Sequence, residues 1–141
     1  MDKIFLDTDI IIDLLAQRNP FYEDAVKVFT LAKNKKIKCF TSSNSIANIY
    51  YILSRFENKN FAKANIIKLR RIVSITDISE NAVDMALNSD FKDFEDALQY
   101  YSAMENGLDF IITRNKKDYK QSKIPVFEAG EYLKCLENKF C

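Results

Sequence analysis

The chain has no histidine, and its only glycines among 141 residues are Gly107 and Gly130. Without histidine there is no Ser-His-Asp or Cys-His nucleophile, no histidine-based ribonuclease chemistry and no His-ligated zinc. Two isolated glycines build neither a G-x-G-x-x-G dinucleotide loop nor a Walker A phosphate loop. The three cysteines, Cys39, Cys135 and Cys141, are widely spaced, form no C-x-x-C and cannot alone make a four-ligand zinc site. An excess of one charge is missing too. Lys plus Arg is 21 and Asp plus Glu is 20, a net charge of +1, so nucleic-acid or membrane binding has to come from local patches. No apolar run is long enough to span a bilayer. Asp7, Asp9 and Asp13 break the N-terminal stretch where a signal peptide needs continuity. The compartment expected from these absences is a reducing cytoplasm. Catalysis is left to carboxylates, amides, hydroxyls, Lys and Arg, for which carboxylates with a hard metal ion are the common solution.

What is present reads as one globular domain over residues 1–141, with 48% hydrophobic and 29% charged residues. Short apolar strands are expected at 3–6, 36–42, 72–76, 109–114 and 125–127. Helical periodicity falls between them: just after the first strand, at 20–34 with Pro20 in the first turn, at 44–56, at 61–71, after Ser79, at 93–107 and at 128–140. Such alternation predicts an α/β fold with a parallel sheet covered on both faces. Ligands in these sheets sit beyond the carboxyl ends of the strands. Asp7, Arg114-Asn115 and the "TSSNS" run at 41–45 all follow predicted strands.

Each of these pieces has a structural use beside a functional one. Asp7 in "FLDTD" reads equally as a helix cap and as a cation ligand. Asp13, on the helix, reads as solvated. In "DFKDFEDALQ", Asp90, Asp93, Glu95 and Asp96 repel one another unless solvated or sharing a cation, and Asp93-x-x-Asp96 also resembles a capping box. Asp96 precedes core-type Ala97 and Leu98, which favours a functional role. "IITRNKKDY" offers Asn115 and Asp118 as metal or water ligands, with Thr113, Arg114, Lys116 and Lys117 near phosphate oxygens. Thr8, Ser43 and Asn44 are further candidate phosphate or RNA contacts, or caps. The run Lys33-Asn34-Lys35-Lys36 reads as a solvated loop, and Tyr50-Tyr51 as packing, in the core or between subunits. Ile46, Ile49, Leu53 and Phe56 fall on one helical face.

Together, "FLDTDIIIDLL", "TSSNSIANIYYIL", "DFEDALQYYSA" and "FIITRNKKDY" resemble, in order and end to end, the four motifs of the PIN domain, the nuclease fold of VapC-type toxins. The resemblance implies a three-layer α/β/α sandwich with a central parallel sheet. It also implies an Mg²⁺- or Mn²⁺-dependent endoribonuclease acting as the toxin of a toxin–antitoxin pair, with RNA as substrate, a small antitoxin as partner and a homodimer as assembly. Asp7 matches the first metal-binding aspartate and Asp96 that of the third motif. Asn115 falls where many members carry the fourth acid, with Asp118 close enough to replace or assist it. Asn48 falls where many carry a glutamate, and Glu95 or Asp93 could restore the lost charge. Two amides in an acidic tetrad also leave open a catalytically weakened RNA- or protein-binding module.

Overall fold

Ile4, Phe5 and Leu6 are fully buried, yet they do not enter the same core. In a strand, successive side chains point to opposite faces. Ile4 and Leu6 join one hydrophobic cluster with Ile10, Ile11, Val28 and Ile49, while Phe5 joins another with Tyr100, Ala103 and Ile111. Their strand, β1 (Lys3–Leu6), is therefore the centre of a sheet with helices on both faces. The computed structural model describes residues 1–138. After β1 come α1 (Thr8–Leu15), α2 (Tyr22–Lys33), β2 (Lys38–Ser42), α3 (Ser43–Phe56), α4 (Lys59–Leu69), β3 (Val73–Thr76), α5 (Glu80–Leu87), α6 (Phe94–Glu105), β4 (Phe110–Ile112), a 3₁₀ turn (Lys116–Tyr119), β5 (Val126–Phe127) and α7 (Ala129–Asn138).

The sheet runs β3-β2-β1-β4-β5 with every pairing parallel. This is the expected three-layer α/β/α sandwich. Strand order reverses between β1 and β4, which opens a crevice at their carboxyl ends. Asp7 and the segment after Ile112 lie there. None of the described helices is long and apolar enough to cross a membrane.

Local chemistry sets the helix ends. Ser42, Asn58, Ser79 and Asp93 accept the amides of Ser45, Phe61, Ala82 and Asp96, capping α3, α4, α5 and α6. The Asn58 cap starts α4 two residues before the expected 61. Gly107, at φ +65, closes α6 where a side chain would be strained. Pro20 lies outside α2 rather than in its first turn, behind Phe21 at the N-cap. The second strand starts at Lys38 instead of 36, because residues 34–36 fold back onto the end of α2. On α3, Ile49 and Leu53 are buried, but Phe56 is 57% and Tyr51 60% exposed, and Tyr50 is also exposed. The apolar face is thus shorter than its spacing predicts, and the tyrosine pair is not in the core. The closing helix is described to Asn138. The expectation for 139–140, and Cys141, lie outside the described residues.

Candidate metal centre

Asp7 continues β1 by one step. Its amide donates to the Ile112 carbonyl at 3.0 Å, so its side chain emerges where β1 and β4 part. Oδ1 accepts the Thr8 amide at 2.7 Å and caps α1. Oδ2 accepts the hydroxyls of Thr113 at 2.8 Å and Tyr119 at 3.4 Å. Capping and site geometry therefore coexist in one carboxylate. Asp7 is only 6% exposed, and burial raises its pKa against the lowering effect of these hydrogen bonds.

Asp96 arrives from the other side of the crevice. The Asp93 cap holds its amide at 2.9 Å in the first turn of α6. Its Oδ1 accepts from Tyr119 Oη at 3.3 Å and from Gln99 Nε2 at 3.5 Å. The Tyr119 hydroxyl therefore stands between Asp7 and Asp96 with a single proton to give. Burial, then the charges of Asp7, Asp93 and Asp118, push Asp96 up to about 8. Asp118, on the 3₁₀ turn, lines the same cavity of about 380 Å³, together with Thr8, Asp9, Asp93, Glu95 and Asn115. Glu95 is held by Asn48, whose Nδ2 donates to Oε1 at 2.7 Å. The amide at 48 thus presents a carboxylate on the neighbouring helix.

Asp9 is a site residue for which the sequence reading assigned no role. Its Oδ2 accepts from the Arg114 amide at 3.3 Å and from Asn115 Nδ2 at 3.4 Å. Burial, then repulsion from Asp7, raise it to about 6. Its Oδ1 and the Thr8 hydroxyl are both buried without a hydrogen-bond partner. Gln99 is the second omission. It is buried, it accepts from Ser45 Oγ at 3.0 Å, and it ties the capped end of α3 to Asp96. Its position three residues after Asp96, one helical turn on, was the available signal.

Several expectations are corrected. Thr113 is fully buried; it donates to Asp7 and accepts the Asn115 amide at 3.0 Å, so it orients the site instead of meeting phosphate. Arg114 borders the cavity, but its Nε and Nη2 bond Asp13 at 2.9 and 3.1 Å, and its guanidinium lies 3.9 Å from the Phe21 ring centre. Asp13 is not solvated. It is 1% exposed and also pairs with Arg18 at 3.0 Å, because a buried carboxylate needs charged partners. Ser43 and Asn44 do not line the cavity, and Ser42 provides the cap. Asp90 stays outside as well, with only its carbonyl engaged, by Gln121.

The donors are all oxygens, as Mg²⁺ and Mn²⁺ prefer. Two of them are buried without partners, and the carboxylates raise one another's pKa, a repulsion that a cation relieves. No three described acidic side chains converge into a closed cage. That suits an ion held by one or two carboxylates, with water and substrate phosphate completing its shell.

The sequence model of the PIN domain matches residues 3–117. Ribonuclease VapC1 of Aquifex aeolicus (strain VF5) is 29% identical over 136 residues, 93% of each chain. Among solved structures, DNA-bound VapBC from Salmonella typhimurium aligns with a TM-score of 0.69 at 16% identity, covering 92% of this chain and 99% of that one. VapBC2 from Rickettsia felis, bound to a promoter DNA fragment, gives 0.66 at 18% identity, covering 89% and 97%. VapC20 of Mycobacterium tuberculosis, a Sarcin-Ricin loop cleaving toxin, gives 0.62 at 20%, covering 77% and 86%. These structural likenesses carry the fold, and the match over residues 3–117 carries the family: the chain belongs to the PIN domain family.

Proposed function

We propose that this chain is a metal-dependent endoribonuclease that hydrolyses RNA phosphodiester bonds, the toxin of a toxin–antitoxin pair. The observation that carries the reading is the meeting of Asp7 and Asp96 at one tyrosine hydroxyl, in a cavity of oxygen donors. Asp7 and Asp96 would hold Mg²⁺ or Mn²⁺ directly, and Asp118, on the same cavity, through water. Glu95, presented by Asn48, and Asp93 add negative charge, while Asn115 braces Asp9 and can orient water. A bound ion supplies a water of lowered pKa and neutralises charge on the phosphate.

The chain's own residues do the positioning. Thr113 and the Thr8 amide fix both oxygens of Asp7. Gln99 and Tyr119 fix Asp96. The Thr8 hydroxyl, buried without a partner beside the cavity, is a polar group that a bound ion or its water would satisfy. Without histidine, the leaving oxygen takes its proton from water. A small antitoxin is the partner that fits this reading, supported by the toxin–antitoxin relatives. The exposed Tyr50, Tyr51 and Phe56 on α3 support a homodimer.

The test is calorimetric titration of Mn²⁺ and Mg²⁺ into the wild type and Asp96→Asn, with RNA cleavage assayed on the same samples. The expected result is metal-dependent cleavage by the wild type, with at least tenfold weaker metal binding and no cleavage in the variant. Absent metal affinity at millimolar concentration, with no cleavage, sinks the nuclease. It would favour a catalytically weakened binding module, the reading that the neutral Asn48 and Asn115 otherwise support.

A further inference from the structure

The run Lys33-Asn34-Lys35-Lys36 does not stand alone in the fold. The amides of Asn34, Lys35 and Lys36 bond back to Thr30, Ala32 and Leu31, with Lys35 at φ +58, and this turn fixes the lysines at the end of α2. β2 and β3 are parallel neighbours, with Cys39 opposite Val73, so the turn after α4 delivers Arg70 and Arg71 to the same end of the sheet. Between the two segments lies a concavity of about 340 Å³, lined by Lys33, Lys35, Lys38, Arg70 and Arg71 and by no carboxylate.

None of these cations forms an ion pair among the described residues. The carboxylate of Asp2 accepts the Tyr132 hydroxyl at 2.7 Å. Arg70 is held by the Val73 carbonyl at 2.9 Å, and Lys38 lies over the Phe40 ring. The C-termini of α2 and α4 each return about half a negative charge. Five cations against that leave roughly four charges uncompensated, in a chain whose net charge is only +1.

The cleft at the other end of the strands has the opposite sign. Six carboxylates line it, and its two arginines, Arg18 and Arg114, both bond Asp13. Without a bound cation such a cleft repels a phosphate backbone, so metal-independent affinity for a polyanionic substrate has to arise elsewhere on the surface. We propose that the concavity at the start of β2 and β3 is a second RNA-binding surface, which anchors the phosphate backbone of the substrate away from the bond that is cut. The inference rests on the ribonuclease reading. The five residues of β2 set the minimum separation of the two ends, about 13 Å at ~3.3 Å per step. A substrate with a single phosphodiester cannot occupy both.

The experiment uses the full chain carrying Lys33→Gln, Lys35→Gln and Arg71→Gln together, all exposed positions. Binding of a long, mixed-sequence single-stranded RNA is followed by fluorescence anisotropy in chelator, across a salt series. Hydrolysis of a dinucleotide is measured separately with Mn²⁺. Each phosphate contact on a single strand contributes about 0.7 to the salt slope, so the triple variant should lose about 2 in slope and at least about tenfold in affinity at moderate salt. Its kcat/KM on the dinucleotide should match the wild type.

Equal affinity and slope in the two proteins would overturn the proposal. So would displacement of the RNA by polyglutamate at equal charge concentration, since the surface would then suit an acidic protein. A wild type that cleaves while the variant binds long RNA unchanged removes the surface and leaves the nuclease. A wild type that cleaves neither substrate, yet loses RNA binding on substitution, removes the nuclease and leaves the surface.

Discussion

Asn48 and Glu95 show how one hydrogen bond can reassign a charge. A glutamate at 48 would face Glu95 across the same 2.7 Å contact that the amide now makes, and like charges at that distance disfavour the ionised form. In chelator, Asn48→Glu is expected to lower stability by about 1 kcal/mol. Adding Glu95→Gln should recover most of that loss, because the new carboxylate again meets an amide. Thermal denaturation of the two single variants and the double variant measures the coupling, and strictly additive effects would dismiss the pairing. The sequence exposed both residues but not their contact, since 47 positions separate them. Asp9 and Asp13 were obscured in the same way. Their partner Arg114 lies about a hundred positions away, and nothing in "DTDIIID" indicates which carboxylates turn inward. Asp7 and Asp96 were legible because each sits where a strand or helix boundary dictates its direction.

At the scale of elements, α3 separates what periodicity predicts from what packing delivers. Leu53 is fully buried and Phe56 is mostly exposed, although both belong to the same expected stripe. Leu53→Ala should cost about 2–5 kcal/mol, while Phe56→Ala should stay within about 0.5 kcal/mol in the monomer. Urea unfolding at low protein concentration measures both. A large loss at Phe56 would place it in a core or interface. The strands and helices were readable because buried apolar runs alternate with capped, amphipathic segments. Their edges were less so. The first residues of β2 and the start of α4 depend on how the preceding turn closes, through the left-handed Lys35 and the Asn58 cap.

For the whole molecule, the acidic crevice sets a dependence on pH. Asp9 at about 6 and Asp96 at about 8 both lie above the ordinary 3.8. Between those limits the folded state binds more protons than the unfolded one, so stability falls as pH rises from about 4 to about 8. Solvent reaches part of Asp96, which reduces the effect to about 1 kcal/mol, a few degrees in Tm. In chelator the Tm should decline from pH 5 to pH 8.5, and Asp96→Asn should flatten the decline. Millimolar Mn²⁺ should raise the Tm most at the alkaline end, where the ligands are already ionised. A metal-free Tm that climbs over this range would contradict the repulsion.

The strand order has a further consequence for how the molecule is made. β1 finds β2 soon after synthesis, but its other neighbour, β4, is more than a hundred residues downstream, and Asp118 and Tyr119 come later still. A chain that stops short of that point has neither Thr113 nor Tyr119 to hold Asp7. The carboxylate of Asp7 is therefore set last, only once the segment through Tyr119 has packed against β1.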